Sequence, residues 1–174
     1  GEVANMPATG TTVGLGETRR EGLDFQLSGK VTDRLELSLS HSLQKAEVRK
    51  ATGTNGVSLA GKEVFSTPRH ITNVSLDYKH SDTWRFGLQG RSQGNYYIDT
   101  PNELGKFGGF VLFDANVRYA ISARTSIDVQ VKNIADRNYA YAWYDNFFWP
   151  ASQAQPMFSS GNGRATYISL NVKL

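Results

Sequence analysis

Aromatic side chains and arginines are the groups in this 174-residue sequence best suited to binding a ligand. Aromatic rings stack on flat groups, and arginine pairs with anions through charge-assisted hydrogen bonds. Aromatic residues are unusually dense toward the C-terminal end. The predicted ligand-binding residues are Arg91, Tyr96, Tyr97, Trp143, Tyr144, Phe147, Phe148 and Trp149. The alternative is that these rings pack one loop against another or lie at a membrane interface.

No catalytic or metal-binding arrangement is apparent. Asp114 and Asp128 fall on neighbouring predicted strands, but carboxylates meet by chance on a charged face. His41, His70 and His80 have no ligand-like spacing. There is no phosphate-binding loop and no serine elbow. The sequence therefore predicts a protein that is not an enzyme and has neither a metal site nor a cofactor.

Composition excludes further classes. The chain has no cysteine, which rules out a disulfide scaffold and a zinc ribbon. Lys and Arg number 19 against 16 Asp and Glu, and the resulting charge of +3 argues against a nucleic-acid partner. No apolar run approaches the roughly 18 residues of a transmembrane helix. The mildly polar mean hydropathy suggests a soluble protein, except that transmembrane β-barrels have the same average.

Period-two alternation of apolar and polar residues dominates the chain and predicts half-apolar strands. Seven segments show it: residues 23–28, 35–43, 73–78, 84–91, 111–119, 127–132 and 167–174. Short connections alternate strictly with long ones rich in Gly, Asn, Ser and Thr. The short ones are 31–34, 80–83 and 120–124, and the long ones are 46–68, 96–109 and 146–163. This alternation is typical of an antiparallel meander with one tight end and one elaborated end.

Alternation alone does not separate a membrane barrel from a soluble barrel, because only the direction of the apolar face differs. Three features favour a membrane barrel over a soluble one. The segments from turn to loop run about 12–20 residues, against about 5–6 for strands of soluble proteins. The polar face is strongly ionic, and aromatic residues cluster near strand ends, as interfacial girdles require. Those residues are Tyr78, Trp84, Tyr119, Tyr139, Tyr141 and Trp143.

Seven strands cannot complete a barrel, since bacterial single-chain barrels have an even strand number. We therefore predict that residues 1–174 are the C-terminal fragment of a longer barrel. One irregularity is also predicted. The spacing of Val131, Ile134 and Tyr139 breaks the period of two, which indicates a β-bulge shaped by Asp136 and Arg137.

Five motifs together resemble TonB-dependent outer-membrane receptors, and they span most of the chain in the expected order. Residues 18–34 resemble a strand–turn–strand of that family, and residues 67–70 resemble its Thr-Pro-Arg-His strand entry. Residues 113–119, 131–139 and 163–174 are similar to its later strands. The resemblance implies an all-β fold, an antiparallel transmembrane β-barrel fragment with about the last seven strands of a 22-stranded barrel. It also implies that the plug domain is absent from this chain.

The resemblance further implies a function in the bacterial outer membrane. Such receptors bind and import a ferric siderophore or similar scarce chelate, energised through the TonB complex. The implied partners are outer-membrane lipid, the remainder of the barrel, the plug domain, TonB through the missing N-terminal part, and the ferric ligand. The lumen wall expected to face the plug comprises Asp77, Arg85, Asp114, Arg118, Asp128 and Lys132. The alternatives are a passive porin-type barrel and a soluble β ligand-binding protein.

Overall fold

The computed structural model describes residues 3–6, 11–14, 16–53, 56–145 and 155–173. Within these ranges every regular element is a strand. The strands are β1 (Val3–Met6), β2 (Thr11–Gly14), β3 (Glu17–Thr32), β4 (Leu35–Lys50), β5 (His70–Lys79), β6 (Trp84–Gln93), β7 (Tyr96–Tyr97), β8 (Lys106–Phe107), β9 (Phe110–Ala120), β10 (Thr125–Lys132), β11 (Ala140–Asp145), β12 (Gln155–Ser160) and β13 (Ala165–Val172). No helix in the described ranges is both long and apolar enough to cross a membrane.

Seven strands form one antiparallel sheet in the order β13-β10-β9-β6-β5-β4-β3. These are the seven strands predicted from alternation, and each neighbour in the sheet is also the next long strand along the chain. The longest, β3 and β4, have 16 residues each, well beyond the predicted segments. The sheet is therefore the antiparallel meander expected from the sequence, and its longest strands, β3 and β4, lie at one edge.

The register sorts side chains onto two chemically different faces. Leu27 pairs with Leu39, which pairs in turn with Val74, so one face is continuously apolar. Successive residues point to opposite sides, which places Ser28, Ser38 and Ser75 together on the other face. The apolar face is open: Leu23 is 76% exposed and Ile168 is 74% exposed. A hollow lined mainly by polar residues marks the opposite face as the concave one.

The three short turns occur where predicted, and each is stabilised by the same kind of hydrogen bond. In each turn a hydroxyl oxygen accepts a hydrogen bond from the backbone N–H two residues later, which stabilises a tight reversal. Thr32 accepts from Arg34, Ser81 from Thr83, and Ser122 from Arg124. We call this edge of the sheet the turn end and the opposite edge the loop end.

The loop end holds structure that the alternation did not predict. The first loop (51–69) folds back on β4, with bridges joining Glu47 to Glu63 and Thr52 to Ser58. The second loop (94–109) contains the β7–β8 hairpin, and the third loop (133–164) contains the β11–β12 hairpin. The predictions that 96–109 and 146–163 are loops are therefore wrong for residues 96–97, 106–107 and 155–160. The strands of these two hairpins have only two or six residues each, which is too short for an alternation of apolar and polar residues to be recognised. The predicted loop 46–68 also starts too early, because β4 continues to Lys50.

The predicted β-bulge is present where β10 ends. Val131 pairs with Ala115, and the Ile134 N–H donates to the Phe113 carbonyl at 2.8 Å. The chain thus advances three residues from Val131 to Ile134 while β9 advances two from Ala115 to Phe113, and this one extra residue defines a bulge. Asn133 takes the additional position with φ of 49°, a left-handed conformation that asparagine tolerates better than most residues.

Candidate functional site

The second loop connects to the third through Tyr96. Its hydroxyl donates to the Ala142 carbonyl at 3.1 Å and accepts from the Ala142 N–H at 3.2 Å. Tyr96, Ile98 and Ala142 form a small buried cluster, with Phe107 packed against it. Gly108 makes room for this arrangement, because a Cβ there would lie 2.3 Å from the Tyr96 ring. Tyr96, a predicted ligand-binding residue, thus holds two loops together.

The second loop also connects to the first, through Glu63. The Glu63 carboxylate accepts from Lys106 at 2.9 Å and from Arg69 at 2.8 Å. Asn102 accepts from the Glu63 N–H at 2.7 Å and donates to the Glu63 carbonyl at 3.0 Å. Burial raises the pKa of Glu63, but the hydrogen bonds and charges of Lys106 and Arg69 outweigh it and hold the pKa below its usual value. The second loop is therefore the centre of a three-loop assembly.

The remaining predicted aromatic residues either are at least partly exposed or have side chains outside the described part of the structure. Trp143 on β11 is 40% exposed, opposite Met157 of β12. The ring of Tyr97 is half-buried and carries the Lys106 ammonium 4.7 Å from its centroid. Tyr144 belongs to β11, while Phe147, Phe148 and Trp149 lie outside the described residues. Trp143 and Tyr97 are thus the predicted aromatic residues with described, accessible faces.

The concave face below the loops carries a hollow of about 550 Å³. Hydroxyls and amides dominate its lining, including Ser40, Asn73 and Gln89. One of its two cations is Arg91, whose guanidinium is exposed and has no partner among the described residues. Lys132, the other cation, lies 5.5 Å from the Tyr167 ring centroid. The surface can therefore form many neutral hydrogen bonds and one strong contact with an anion.

The concave face becomes ionic toward the turn end, where a second hollow of about 560 Å³ is lined by Asp77, Arg85, Arg118 and Asp128. Arg118 lies 3.5 Å from Asp128 and donates to the Ser126 hydroxyl at 3.1 Å. Because both charges of this pair are partly exposed, each contributes little to stability by itself. Four of the six residues predicted to line the lumen thus share one ionic patch.

Asp114, another predicted lumen residue, has a structural contact. Its carboxylate accepts from the Asn133 N–H at 2.7 Å. Asn133 is 2% exposed, and its side chain donates to the carbonyls of Arg137 at 2.9 Å and Asn162 at 3.2 Å. The Arg137 N–H in turn donates to the Asn133 side-chain oxygen at 3.0 Å. Asn133 organises the start of the third loop, and an asparagine at a break in the period was its only sequence signal.

The concave face and the loops present groups that are chemically suited to non-covalent binding. Hydroxyls, amides and an unpaired guanidinium bind polar and anionic groups through hydrogen bonds and ion pairs, without forming covalent bonds. In the described ranges, no group of three or more His, Cys, Asp or Glu residues could hold a metal ion. Glu63 and Asn102 join the loops and were not singled out from the sequence, because their partners lie far away along the chain.

A tall antiparallel meander with an exposed apolar face, a polar concave face and loops on one edge defines a wall segment of a transmembrane β-barrel. The model of the family "TonB dependent receptor-like, beta-barrel" matches residues 2–134. The chain belongs to this family of outer-membrane receptor barrels. Its exposed apolar residues, such as Leu23 and Ile168, therefore face lipid.

Similar proteins agree with this assignment. The chain is 26% identical over 135 residues to the metal-pseudopaline receptor CntO of Pseudomonas aeruginosa, covering 75% of the chain and 18% of that protein. The siderophore receptor PiuA of Acinetobacter baumannii superposes with a TM-score of 0.75 at 19% identity, covering 93% of this chain and 23% of PiuA. The unliganded ferric citrate transporter FecA gives 0.71 at 26% identity, covering 89% and 24%. The chain spans about a fifth of the length of these proteins.

Proposed function

We propose that this chain is part of a receptor that binds a ferric siderophore or similar chelate and imports it across the outer membrane with energy from TonB. The match of residues 2–134 to the receptor barrel family carries this proposal. The relatives support the class of cargo, since they include a metal-pseudopaline receptor and a ferrioxamine receptor.

The local chemistry agrees with an anionic cargo. Arg91 offers an unpaired guanidinium on the concave wall, while Trp143 and Tyr97 offer aromatic faces in the three-loop assembly. Ferric chelates commonly combine negative charge with flat chelating groups, which suit these side chains. We propose Arg91, Tyr97 and Trp143 as ligand contacts, and Tyr96 as the residue that sets the loop arrangement around them.

The ionic patch at the turn end has a different proposed role. Asp77, Arg85, Arg118 and Asp128, with Asp114 and Lys132 above them, would face the plug domain of the complete receptor. Partly exposed pairs such as Arg118 with Asp128 suit a contact that must rearrange, because each stabilises by only about 0–1 kcal/mol. We also propose that these strands are the C-terminal ones of a 22-stranded barrel.

Two arginines on one strand allow a matched test of these roles. Arg91 and Arg85 lie on the same face of β6, about 20 Å apart along the strand. In the full-length receptor, Arg91→Gln should weaken binding of the cognate ferric siderophore about tenfold, the usual scale of one charge-assisted contact. Arg85→Gln should leave the dissociation constant unchanged. Binding is measured by quenching of tryptophan fluorescence with catecholate, hydroxamate and carboxylate siderophores.

Uptake distinguishes the receptor from a passive channel. Cells producing the full-length protein should accumulate radioactive iron from one siderophore class only, and only when TonB is present. Equal uptake without TonB, or equal uptake of all three classes, contradicts the proposed import and supports a porin-type barrel.

A further inference from the structure

The lipid-facing surface changes chemistry at its loop end. On β5 and β6 the outward face begins with an aromatic belt at Tyr78 and Trp84 and ends with polar His70 and Ser92. The outward residues between them are first apolar and then small or polar: Leu76, Val74 and Thr72 on β5, and Phe86, Leu88 and Gly90 on β6. His70 and Ser92 each lie eight residues from the belt residue of their own strand. At about 3.3 Å per residue and a tilt of about 40°, this is a rise of roughly 20 Å, close to the height of the apolar band of such barrels. His70 and Ser92 therefore stand at the membrane boundary on the loop side.

A hollow of about 410 Å³ lies at this boundary. Its polar lining residues include His70, Ser92, Asn95, Arg137 and Asn138. No carboxylate is among the described residues that line it. Val111, which also lines the hollow, is 50% exposed and continues into the apolar band through Phe113. The hollow thus offers donors on one side and opens onto lipid-facing surface on the other.

The backbone of Arg137 is fixed by hydrogen bonds, but its guanidinium has no partner among the described residues. Asn133 bonds to both the N–H and the carbonyl of Arg137, which fixes the backbone. The guanidinium is exposed and has no partner in the described part of the chain. The nearest acid in sequence, Asp136, accepts from the Arg164 N–H at 2.8 Å. An unpaired cation at a lipid boundary can bind an anion from the membrane.

His70 lines the same hollow as Arg137 and packs closely against a glycine. Its imidazole covers Gly94, where a Cβ would lie 2.8 Å from the ring carbon Cε1. Gly94 is buried although it lies on the outward face, which shows how closely the ring approaches the strand. An imidazole offers an N–H donor in either tautomer. Arg137 and His70 together provide a charged fork and a second donor around one hollow.

We propose that the hollow binds the phosphate group of a membrane lipid. Arg137 and His70 would bind the phosphate oxygens, and the acyl chains would lie over Val111 and Phe113. A free phosphate ion would gain the same polar contacts but nothing from the adjacent apolar surface, so the lipid is the favoured source. This inference depends on the location of the barrel in the membrane and not on the cargo that it transports.

The test measures lipid binding to the full-length receptor in detergent by native mass spectrometry. The probes are phosphatidic acid, diacylglycerol with the same acyl chains, and inorganic phosphate. The double variant His70→Gln with Arg137→Gln should lose about tenfold in affinity for phosphatidic acid and nothing for diacylglycerol. Arg124→Gln is the matched control, since its exposed guanidinium lies in a short turn at the other boundary.

Two further variants sharpen the result. Arg137→Lys retains the charge and should keep most of the affinity, whereas Gly94→Ala should weaken binding by displacing the imidazole without removing a donor. An unchanged affinity in the double variant, or an equal loss in Arg124→Gln, overturns the proposal. Competition by inorganic phosphate as effective as that by phosphatidic acid overturns the assignment to a lipid.

Discussion

The turn end and the loop end of this sheet are built from opposite kinds of contact. Each short turn is stabilised by a hydroxyl and an N–H two residues apart, as between Thr32 and Arg34. At the loop end, Tyr96 bonds to Ala142 across 46 residues, and Asn102 bonds to Glu63 across 39. Contacts between residues close in sequence fix where each strand reverses, while contacts between distant residues assemble the loops at the opposite edge of the sheet.

Burial follows the same division. Val48 of β4 and Val64 of the first loop belong to one buried cluster and are 0% and 4% exposed, and Tyr96 of the second loop is 7% exposed. The belt residues at the turn end, Trp84 and Tyr119, are 40% and 38% exposed although their rings lie 4.6 Å apart. The loop end therefore buries apolar groups within the chain itself, whereas the turn end depends on lipid to cover its rings.

The largest expected effect is at Asn133. Asn133→Ala removes the side-chain bonds to Arg137 and Asn162 and places a less tolerant residue at positive φ. We expect a loss of about 3 kcal/mol, combining lost hydrogen bonds with backbone strain. The denaturant midpoint of the full-length receptor in detergent measures it. Asn133→Gly should cost less, because glycine keeps the conformation, and exposed Asn138→Ala should cost almost nothing. Equal midpoints for Asn133→Ala and Asn138→Ala would refute this role.

Tyr96→Phe tests the junction between the second and third loops. The change leaves both backbone groups of buried Ala142 without the hydroxyl, at a cost of about 2 kcal/mol. Hydrogen exchange of residues 140–145 should accelerate. Tyr97→Phe is the matched control, since its hydroxyl has no partner among the described residues. If both variants exchange like the wild type, the hydroxyl does not hold these loops together.

Glu63→Gln tests the junction between the first and second loops and its pH dependence. The pKa of Glu63 is lower in the folded state than its ordinary value of 4.5, so the charged form stabilises the folded loops above that value. This contribution is lost as pH falls through the lowered pKa. In wild type, the protection factors of the first-loop amides, which correct for the intrinsic pH dependence of exchange, should fall below about pH 4.5. The variant should lack this step and lose about 1 kcal/mol at neutral pH. Exposed Glu103→Gln is the control, and a similar effect there would argue against the junction.

The smallest effect belongs to the turn end. The hydrogen bond from Lys79 holds the pKa of Asp82 below its usual value, but Asp82 is fully exposed in the turn. Asp82→Asn should therefore leave the melting temperature unchanged at physiological salt. A decrease as large as that of Glu63→Gln would remove the contrast between the two ends.

The sequence predicted the sheet better than the site, for a physical reason. Alternation at Leu35–Leu39 or Val111–Tyr119 repeats over whole strands, so the seven strands and their order could be predicted. The break in the alternation also predicted a bulge after Val131, but it pointed to Asp136 and Arg137, whereas Asn133 takes the extra position. The contacts of Glu63 with Lys106 and of Tyr96 with Ala142 depend on how the loops fold, which no local pattern encodes. Aromatic density drew attention to Tyr96 as a ligand-binding residue but did not show that its ring would be buried between two loops.

The sequential order of the sheet has a consequence for how such receptors diversify. Each short turn fixes its own hairpin, so residues inserted into a long loop do not disturb the strand register. Doubling the length of a flexible loop costs only about 0.6 kcal/mol of closure entropy. Mutation can therefore lengthen or replace the segments at one edge over many generations, while the wall that supports them keeps the same pairing.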